Sequence, residues 1–466
     1  MSGSSDRQTA ALTLARNPIR EAYAHLSERV AAALSRPGGP TGPPQRVEVE
    51  APDVEPLAWL AAQAGRPRLY WADRGRHRVV AAAGIAERLD LQATMAPAQL
   101  LTAAAGRLVD AAPGIRYYGG CRFDTEATIS RRWQAFGRGW LMLPRVEWIQ
   151  EGEQRLLACN VLPGRDGVQS VLAELDRLAH VPVALAPPGP PRWREDTPTR
   201  ADWLALVERI STAARRRGEP AKVVLARRTS FTFDTDVEGL ALLQAYQRAT
   251  ESNCFLFFFD PGDGTAFMGA SPERLFHRRD RHICSEALAG TRPRGATVHE
   301  DTLLREQLLA CAKEGREHAC VVRHIENGLA ELTDSLDRDR DISVVELAHV
   351  QHLNVHMRGY LRPGVTDGAL LAALHPTPAV AGDPPAAALA RIGELEPFDR
   401  GWYAGPVGYV GADDTQFAVA IRSGLVRGHH LDLYVGAGIL AGSRPAGEWL
   451  ELESKMNGMQ SAWHHD

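Results

Sequence analysis

Cysteines are few in this chain, and no two of them form a C-x-x-C pair. Six occur among 466 residues, scattered at Cys121, Cys159, Cys254, Cys284, Cys311 and Cys320. This spacing matches neither a zinc motif nor the disulfide framework of a small secreted domain. We therefore expect reduced thiols that are buried as small apolar side chains.

The chain also lacks a large excess of positive or negative charge, and it lacks long apolar runs. The 53 Lys and Arg residues nearly balance the 57 Asp and Glu residues, which leaves a net charge of −4. Nucleic-acid-binding domains are usually strongly basic, so no nucleic-acid partner is expected. No apolar run reaches the length of about 18 residues that would predict a membrane span. The first residues, MSGSSDRQTA, lack the apolar stretch of a signal peptide. The expectation is a cytoplasmic globular protein without a membrane partner.

Glycine motifs that cradle nucleotide phosphates are the third absence. No G-x-G-x-x-G opens a βαβ unit, and G-x-x-x-x-G-K-[ST] does not occur. Strand-like runs instead come in consecutive blocks, with helical patterns between the blocks. This order predicts an α+β fold with mostly antiparallel sheets rather than a doubly wound one.

Two Pro/Gly-rich stretches, RPGGPTGPP at 36–44 and PPGPPR at 187–192, suggest how the chain is divided. Residues 1–45 are predicted to form an N-terminal helix over 7–34, broken or kinked at Pro18, followed by a linker. Residues 46–190 alternate short β-rich runs with turns. Residues 191–466 have the clearer pattern, including strands at 222–232 and 273–278, a long helix over about 299–332 and a last helix over 446–461.

Two charged residues lie at strand-like, apolar positions. Lys222 opens the run KVVLA, where loss of water contact would make a lysine easier to deprotonate and suit it as a base. The alternative is a strand-end lysine that reaches back to water. Glu273 follows Ser271 and Pro272 and could be a buried general acid, or an ordinary glutamate at a turn.

Three further residues suggest a metal site. Glu451 and Lys455 are four residues apart on the predicted last helix, so they share one face. They could form a solvated ion pair. Alternatively, Glu317 and Glu451 could hold Mg²⁺, which commonly takes one or two carboxylates and completes its shell with water and substrate oxygens.

Glycine clusters at 288–295, 402–409 and 435–439 lie in strand-like runs, where the backbone can approach a ligand closely. Arg422 follows the apolar run FAVAI and is costly to bury unless it meets an anion. A pocket that combines Arg422, glycine amides, Lys455 and a metal would suit a small dicarboxylate.

Taken together, ten segments resemble the chorismate-utilising enzymes, and they occur in the order typical of that family. They cover roughly 200–466, whereas residues 1–190 resemble the variable N-terminal region of the family only loosely. The segments are KVVLARR (222–228), FMGASPERLF (267–276), ALAGTRPRG (287–295), KEGREHACVV (313–322), VQHL (350–353), LHPTPAVAG (374–382), WYAGPVGYV (402–410), FAVAIRSG (417–424), YVGAGILAGS (434–443) and EWLELESKMNGM (448–459).

The resemblance implies an α+β fold with two sub-lobes, a central mostly antiparallel β-sandwich and helices outside. Residues 46–190 would be the variable part of that fold, and residues 191–466 the chorismate-binding catalytic region. Chorismate is the implied substrate and Mg²⁺ the implied cofactor.

Roles for individual residues follow from the matched positions. Lys222 matches the base that activates water, and Glu273 the acid that protonates the departing C4 hydroxyl. Glu317 and Glu451 match the Mg²⁺ ligands. The remaining matches are to substrate-binding positions: Lys455 and the Gly290/Thr291 turn near the ring carboxylate, and Tyr403, Arg422 and the Gly438 amide at the pyruvyl carboxylate. His352 and His375 lie in matched segments without an assigned role.

Particular residues favour one activity within the family. Ammonia-using members generally carry Gln at the position of Lys222, so the lysine favours water and argues against a glutamine amidotransferase subunit. Ala289 stands where aminodeoxychorismate synthases generally carry Lys, and the Leu-Leu-Glu-Ser motif of tryptophan-regulated anthranilate synthases is absent. The run WYAGPVGYV looks most like isochorismate synthases. Salicylate synthase is the alternative, followed by a catalytically silent chorismate-binding protein, and the product's use in menaquinone or siderophore biosynthesis stays open.

Overall fold

The computed structural model describes residues 17–35, 42–214, 216, 219–250, 253–460 and 463. In this part of the chain there are eleven α-helices and twenty β-strands. The helices are α1 (Pro18–Leu34), α2 (Pro56–Ala61), α3 (Pro97–Arg107), α4 (Val168–Asp176), α5 (Arg200–Ala213), α6 (Gly239–Ala249), α7 (Val298–Ala310), α8 (Ala312–Ala330), α9 (Asp367–Leu374), α10 (Pro385–Leu395) and α11 (Pro445–Gln460). The strands are β1 (Gln45–Glu50), β2 (Arg68–Ala72), β3 (Arg78–Asp90), β4 (Arg116–Cys121), β5 (Gly139–Glu151), β6 (Gln154–Val161), β7 (Trp193–Thr197), β8 (Lys222–Thr232), β9 (Phe255–Asp260), β10 (Thr265–Ser271), β11 (Arg274–Arg279), β12 (His282–Pro293), β13 (Thr333–Arg338), β14 (Ser343–Glu346), β15 (Val350–Leu361), β16 (Gly382–Asp383), β17 (Pro406–Gly411), β18 (Asp414–Val419), β19 (Ser423–Arg427) and β20 (His430–Leu440).

Every strand pair among the described residues is antiparallel, and the strands join into one continuous sheet. One arm runs β1–β6–β5–β3–β2–β9–β10–β19–β20–β8, and a second leaves β5 through β4–β17–β18–β11–β12–β15. All six residues of β9 are buried, so both of its faces are covered and its side chains do not alternate between apolar and polar. The predicted α+β fold with a mostly antiparallel sheet is confirmed.

The strands before and after the Pro-rich stretch 187–192 share one sheet and one core. β2 pairs with β9, and β4 pairs with β17. In the core, Trp133 packs against Phe267 with ring centres 5.2 Å apart, and Trp140 packs against Trp402 at 5.0 Å. The N-terminal strands therefore help to hold the strands that carry the candidate chemistry.

The predicted long helix over 299–332 is wrong, because the chain breaks at Cys311. That residue has extended backbone angles (φ −77°, ψ 111°), and it separates α7 from α8. Leu303 and Leu309 of α7 are exposed, whereas Ile325 and Leu329 of α8 are buried. The break lets α8 pack on β12 independently of α7.

The first helix is described only from Pro18, and the predicted residues 7–16 lie outside the described part of the chain. Pro18 is the first residue of α1, a position at which a proline loses no hydrogen bond. The Asn17 side chain caps the helix by accepting from the amides of Ile19 and Arg20. Among the described residues, no helix combines the length and apolar character of a membrane span.

Candidate active site

A cavity lies where β8, β20, β12 and the helices α8 and α11 meet. Most of the residues predicted for the site line it directly: Glu273, Gly290, Thr291, Glu317, Tyr403, Arg422, Gly438 and Lys455. The two others adjoin the cavity through ion pairs, Lys222 with Glu317 and Glu451 with Lys455. Residues that are far apart in the sequence therefore meet in one place.

Lys222 is the first residue of β8, and its side chain is completely buried. Its Nζ lies 3.0 Å from Oε1 of Glu317. The alternative of a strand-end lysine that reaches water is therefore wrong. On the neighbouring strand β20, a Cβ at Gly438 would lie 2.8 Å from Lys222 Cε and 2.5 Å from Glu317 Oε1. Glycine at this position therefore lets the two side chains keep this spacing.

Glu273 sits at the turn between β10 and β11, but it is buried rather than exposed. Its Oε1 accepts a hydrogen bond from Thr377 Oγ1 at 3.4 Å. Burial, followed by the negative charge of Glu286, raises the pKa of Glu273 to about 8, against the opposing effect of Lys222. Its carboxyl therefore carries a proton at neutral pH, as a general acid requires.

Four carboxylates, two from each helix, gather beside the cavity. Glu314 and Glu317 lie one turn apart on α8, and Glu448 and Glu451 lie one turn apart on α11. Burial and then the charge of Glu317 raise the pKa of Glu314, while burial and then the charge of Glu451 raise the pKa of Glu448. Sequence reasoning assigned no role to Glu314 and did not select Glu448. The repeated E-x-x-E spacing was the signal that could have found both.

Lysines offset part of this negative charge. Lys313 Nζ donates to Glu448 at 2.6 Å, and Lys455 Nζ lies 2.8 Å from Glu451. Burial alone would raise the pKa of Glu317, but the ammonium groups of Lys222, Lys313 and Lys455 hold it below its ordinary value. The side chains of Glu451 and Lys455 are only 22% and 19% exposed. They therefore border the cavity and do not form a fully solvated surface pair.

The donor set at the helix pair suits a hard divalent cation. Among the described residues, no group of three or more His, Cys, Asp or Glu side chains has a metal-binding arrangement. Mg²⁺ needs only one or two protein carboxylates, however, because substrate oxygens and water complete its shell. Carboxylates close enough to raise one another's pKa mark a place where a divalent cation would relieve repulsion.

Arg422 also lines the cavity, and its backbone has a left-handed conformation with φ +50°. Its Nη2 donates to Nε2 of His352 at 2.8 Å. A guanidinium can only donate, so the His352 proton sits on Nδ1, which is 3.1 Å from the Gly290 carbonyl oxygen. Burial, Arg422 and Lys455 all lower the pKa of His352, which keeps it neutral. His352 thus orients Arg422, a role that sequence reasoning did not assign.

No carboxylate in the described part of the chain pairs with Arg422. Burial lowers the pKa of this guanidinium, which shows that its charge is poorly solvated. Close by, Tyr403 stacks on Tyr434 with ring centres 5.3 Å apart, and a Cβ on Gly436 would come 2.9 Å from the Tyr403 hydroxyl. Burial raises the pKa of Tyr403, so its hydroxyl remains a hydrogen-bond donor. This end of the cavity suits an incoming carboxylate.

The Gly290/Thr291 turn closes the cavity near α8. Gly290 has φ +75°, a conformation that favours glycine. The Thr291 amide donates to Oε2 of Glu314 at 3.2 Å, and Arg292 Nη1 donates to Oε1 of the same carboxylate at 3.1 Å. Glu314 therefore ties this turn to α8.

Similarity to known proteins extends over most of the chain. The profile of the family described as "Chorismate binding enzyme" matches residues 44–464. Isochorismate synthase 2 from the chloroplast of Arabidopsis thaliana is 34% identical over 76% of this chain, but the match spans only 65% of that relative's length. Isochorismate synthase MenF of Escherichia coli is 33% identical over 87% of this chain and 90% of its own. The solved structure of the Escherichia coli menaquinone-specific isochorismate synthase superposes with a TM-score of 0.82 at 30% identity, covering 95% of this chain and 100% of that one.

Proposed function

This chain belongs to the chorismate-binding enzyme family, and we propose that it is an isochorismate synthase that converts chorismate to isochorismate with Mg²⁺. One observation carries the proposal: a completely buried lysine and a buried glutamic acid adjoin the same cavity. A base and an acid are the two groups that water addition and hydroxide loss require.

Glu273 acts as the general acid. Hydroxide is a poor leaving group, so the C4–O bond breaks readily only if a proton reaches the departing oxygen. The Glu273 carboxyl holds a proton up to about pH 8, and Thr377 fixes one of its oxygens. The hydroxyl then leaves as water, and Glu273 becomes a carboxylate.

Lys222 acts as the general base. It takes a proton from water as the water oxygen bonds to C2, while the ring double bonds shift and the C4–O bond breaks. One water is consumed and one is released, so the reaction is an isomerisation. Lys222 must be neutral at the moment it takes this proton. Its side chain is completely buried, with Nζ 3.0 Å from Glu317 Oε1.

Two regions of the cavity hold the two carboxylates of the substrate. Arg422, oriented by His352, and the Tyr403 hydroxyl bind the pyruvyl carboxylate together with the Gly438 amide. Lys455 and the Gly290/Thr291 turn lie toward the ring carboxylate. Holding both ends fixes C2 and C4 against the base and the acid, which lowers the entropic part of the barrier.

Glu317 and Glu451 are the proposed Mg²⁺ ligands, since they lie on the facing helices α8 and α11 beside Lys222 and Lys455. When bound, Mg²⁺ would neutralise the ring carboxylate of the substrate and fix its orientation. Glu314 and Glu448 lie one helical turn away and add negative charge to the same place.

The test is product analysis after incubation of the purified protein with chorismate and Mg²⁺. The proposal predicts isochorismate by chromatography, without salicylate or pyruvate at a comparable rate, and no product from the Glu273→Gln variant. Salicylate and pyruvate formed at the catalytic rate would identify a salicylate synthase instead. No turnover would refute both activities.

The nucleophile is tested separately by adding an ammonium salt to the same reaction. Because Lys222 is a base for water, the product is expected to remain isochorismate, and no glutamine amidotransferase subunit is expected to be needed. An aminated product would contradict this assignment.

A further inference from the structure

Glu286 is a buried carboxylate that the proposed reaction does not use. It lies on β12, its side chain has no exposed surface, and it is paired in register with His356 of β15. One oxygen accepts from the backbone amide of Arg274 at 2.8 Å, and the other accepts from Arg74 Nη2 at 2.7 Å. Both oxygens of Glu286 are therefore held by nitrogen donors, a backbone amide on one and a guanidinium on the other.

The amide bond has a direct consequence for the general acid. Arg274 is the residue immediately after Glu273, so Glu286 holds the turn on which the acid is carried. The same turn is fixed at its other side, where the Glu273 amide donates to Ser271 Oγ at 3.2 Å and the Glu273 carbonyl accepts from the Val419 amide at 3.1 Å. These contacts fix the backbone from which the Glu273 side chain extends.

The negative charge of Glu286 also acts on Glu273. Among the charged groups that face Glu273, Lys222 of β8 and Lys455 of α11 favour its ionised form, while Glu286 of β12 opposes it. Thr377 donates to the carboxyl, and Tyr403 lies within electrostatic range. Glu286 is thus the negative charge that counters the two lysines.

We propose that Glu286 is a positioning residue for Glu273: it fixes the turn that carries the acid and places a second carboxylate beside that turn. The inference rests on the proposed function, because Glu273 is taken there as the general acid. It goes further by placing the control of that acid in a residue that does not line the cavity.

Glu286→Gln separates the two roles, because the amide oxygen can still accept from Arg274 while the charge is removed. At ordinary protein dielectric, removing a nearby buried charge should lower the pH at which Glu273 loses its proton by about one unit or more. The alkaline limb of the kcat–pH profile should move down by the same amount, with little change in KM at lower pH. Glu286→Asp keeps the charge, so we expect it to lower kcat and leave the alkaline limb in place.

Asp260→Asn is the matched control. Asp260 is also a buried carboxylate that accepts from an arginine, Arg68, and from a backbone amide, that of Gly262. It does not line the cavity, so its loss should reduce stability without moving the pH profile. A profile that moves equally in Asp260→Asn and Glu286→Gln would overturn the proposal.

A titration of Glu273 that does not depend on turnover tests the role of Glu286 independently of the proposed enzymatic activity. Infrared difference spectra follow the protonated carboxyl of Glu273, assigned by its loss in Glu273→Gln. A lower midpoint in Glu286→Gln than in the unmodified protein supports the proposal, even if no isochorismate is formed. An unchanged midpoint overturns it, even if isochorismate is formed normally.

Discussion

Gly438→Ala tests whether the spacing of the Lys222 and Glu317 side chains controls the rate. A Cβ at this position would lie 2.5 Å from Glu317 Oε1 and 2.8 Å from Lys222 Cε. Side-chain Cβ atoms are not found within 3.0 Å of such atoms, so the carboxylate must retreat by at least about 0.5 Å. The substitution therefore displaces a proposed metal ligand and the proposed base together, while the backbone of β20 can stay in place.

The expected fall in kcat follows from how steeply the rate of a reaction depends on the position of the reacting groups. A misplacement of about 1 Å near reacting groups costs roughly 100-fold, so a shift of about half that distance should cost on the order of 10-fold. We expect kcat to fall between about 10-fold and 100-fold. The loss of stability should be near the low end of the about 1–3 kcal/mol typical of overpacking, because the atoms that must move are the ends of flexible side chains.

The assay combines initial rates of chorismate consumption with the thermal unfolding midpoint. Gly393→Ala is the control, since Gly393 lies on α10 with no atom within 4 Å of an added Cβ. That change should leave kcat unaltered and raise stability slightly, as alanine is the better helix former. A wild-type kcat in Gly438→Ala would refute the view that this spacing controls the reaction.

Three further predictions concern the acid, the base and the metal. In the unmodified protein, kcat should fall as pH rises through about 8, because Glu273 must be protonated to act; a flat profile to pH 9 would contradict this role. Lys222→Met should abolish turnover while the circular dichroism spectrum stays native, because the base is lost; normal activity would exclude Lys222 as the base. Removal of divalent cations with a chelator should stop turnover, and adding Mg²⁺ should restore it. The Glu451→Gln variant should need a higher Mg²⁺ concentration for half-maximal rate. An unchanged Mg²⁺ requirement in that variant would exclude Glu451 as a ligand.

Much of the fold could be predicted because its strands are locally encoded. The run KVVLARRTSFT predicted a strand at 222–232, the bounds that β8 has. The hairpin between β5 and β6 also has a local signal, the polar turn Glu151-Gly152-Glu153 that joins the two strands. The break at Cys311 was not visible in the sequence, because neither proline nor glycine marks it.

The candidate site was predictable where the family motifs carry it, and less so where tertiary contacts alone create it. Glu273 and Arg422 stood out because a charged residue in or beside an apolar run is costly to bury. His352 and Thr377 had no such signal, since their roles come from a hydrogen bond to Arg422 and one to Glu273. Glu286 was hidden for the same reason: only the fold brings it to the turn that carries Glu273.

The most direct test of the central claim is the fate of the water oxygen. The protein is incubated with chorismate and Mg²⁺ in ¹⁸O-labelled water, and the isochorismate formed is examined by mass spectrometry and NMR. Water activated by Lys222 must leave one ¹⁸O atom in the C2 hydroxyl of the product. Isochorismate without the label would show that the C4 hydroxyl itself migrates, and would contradict the roles assigned to Lys222 and Glu273.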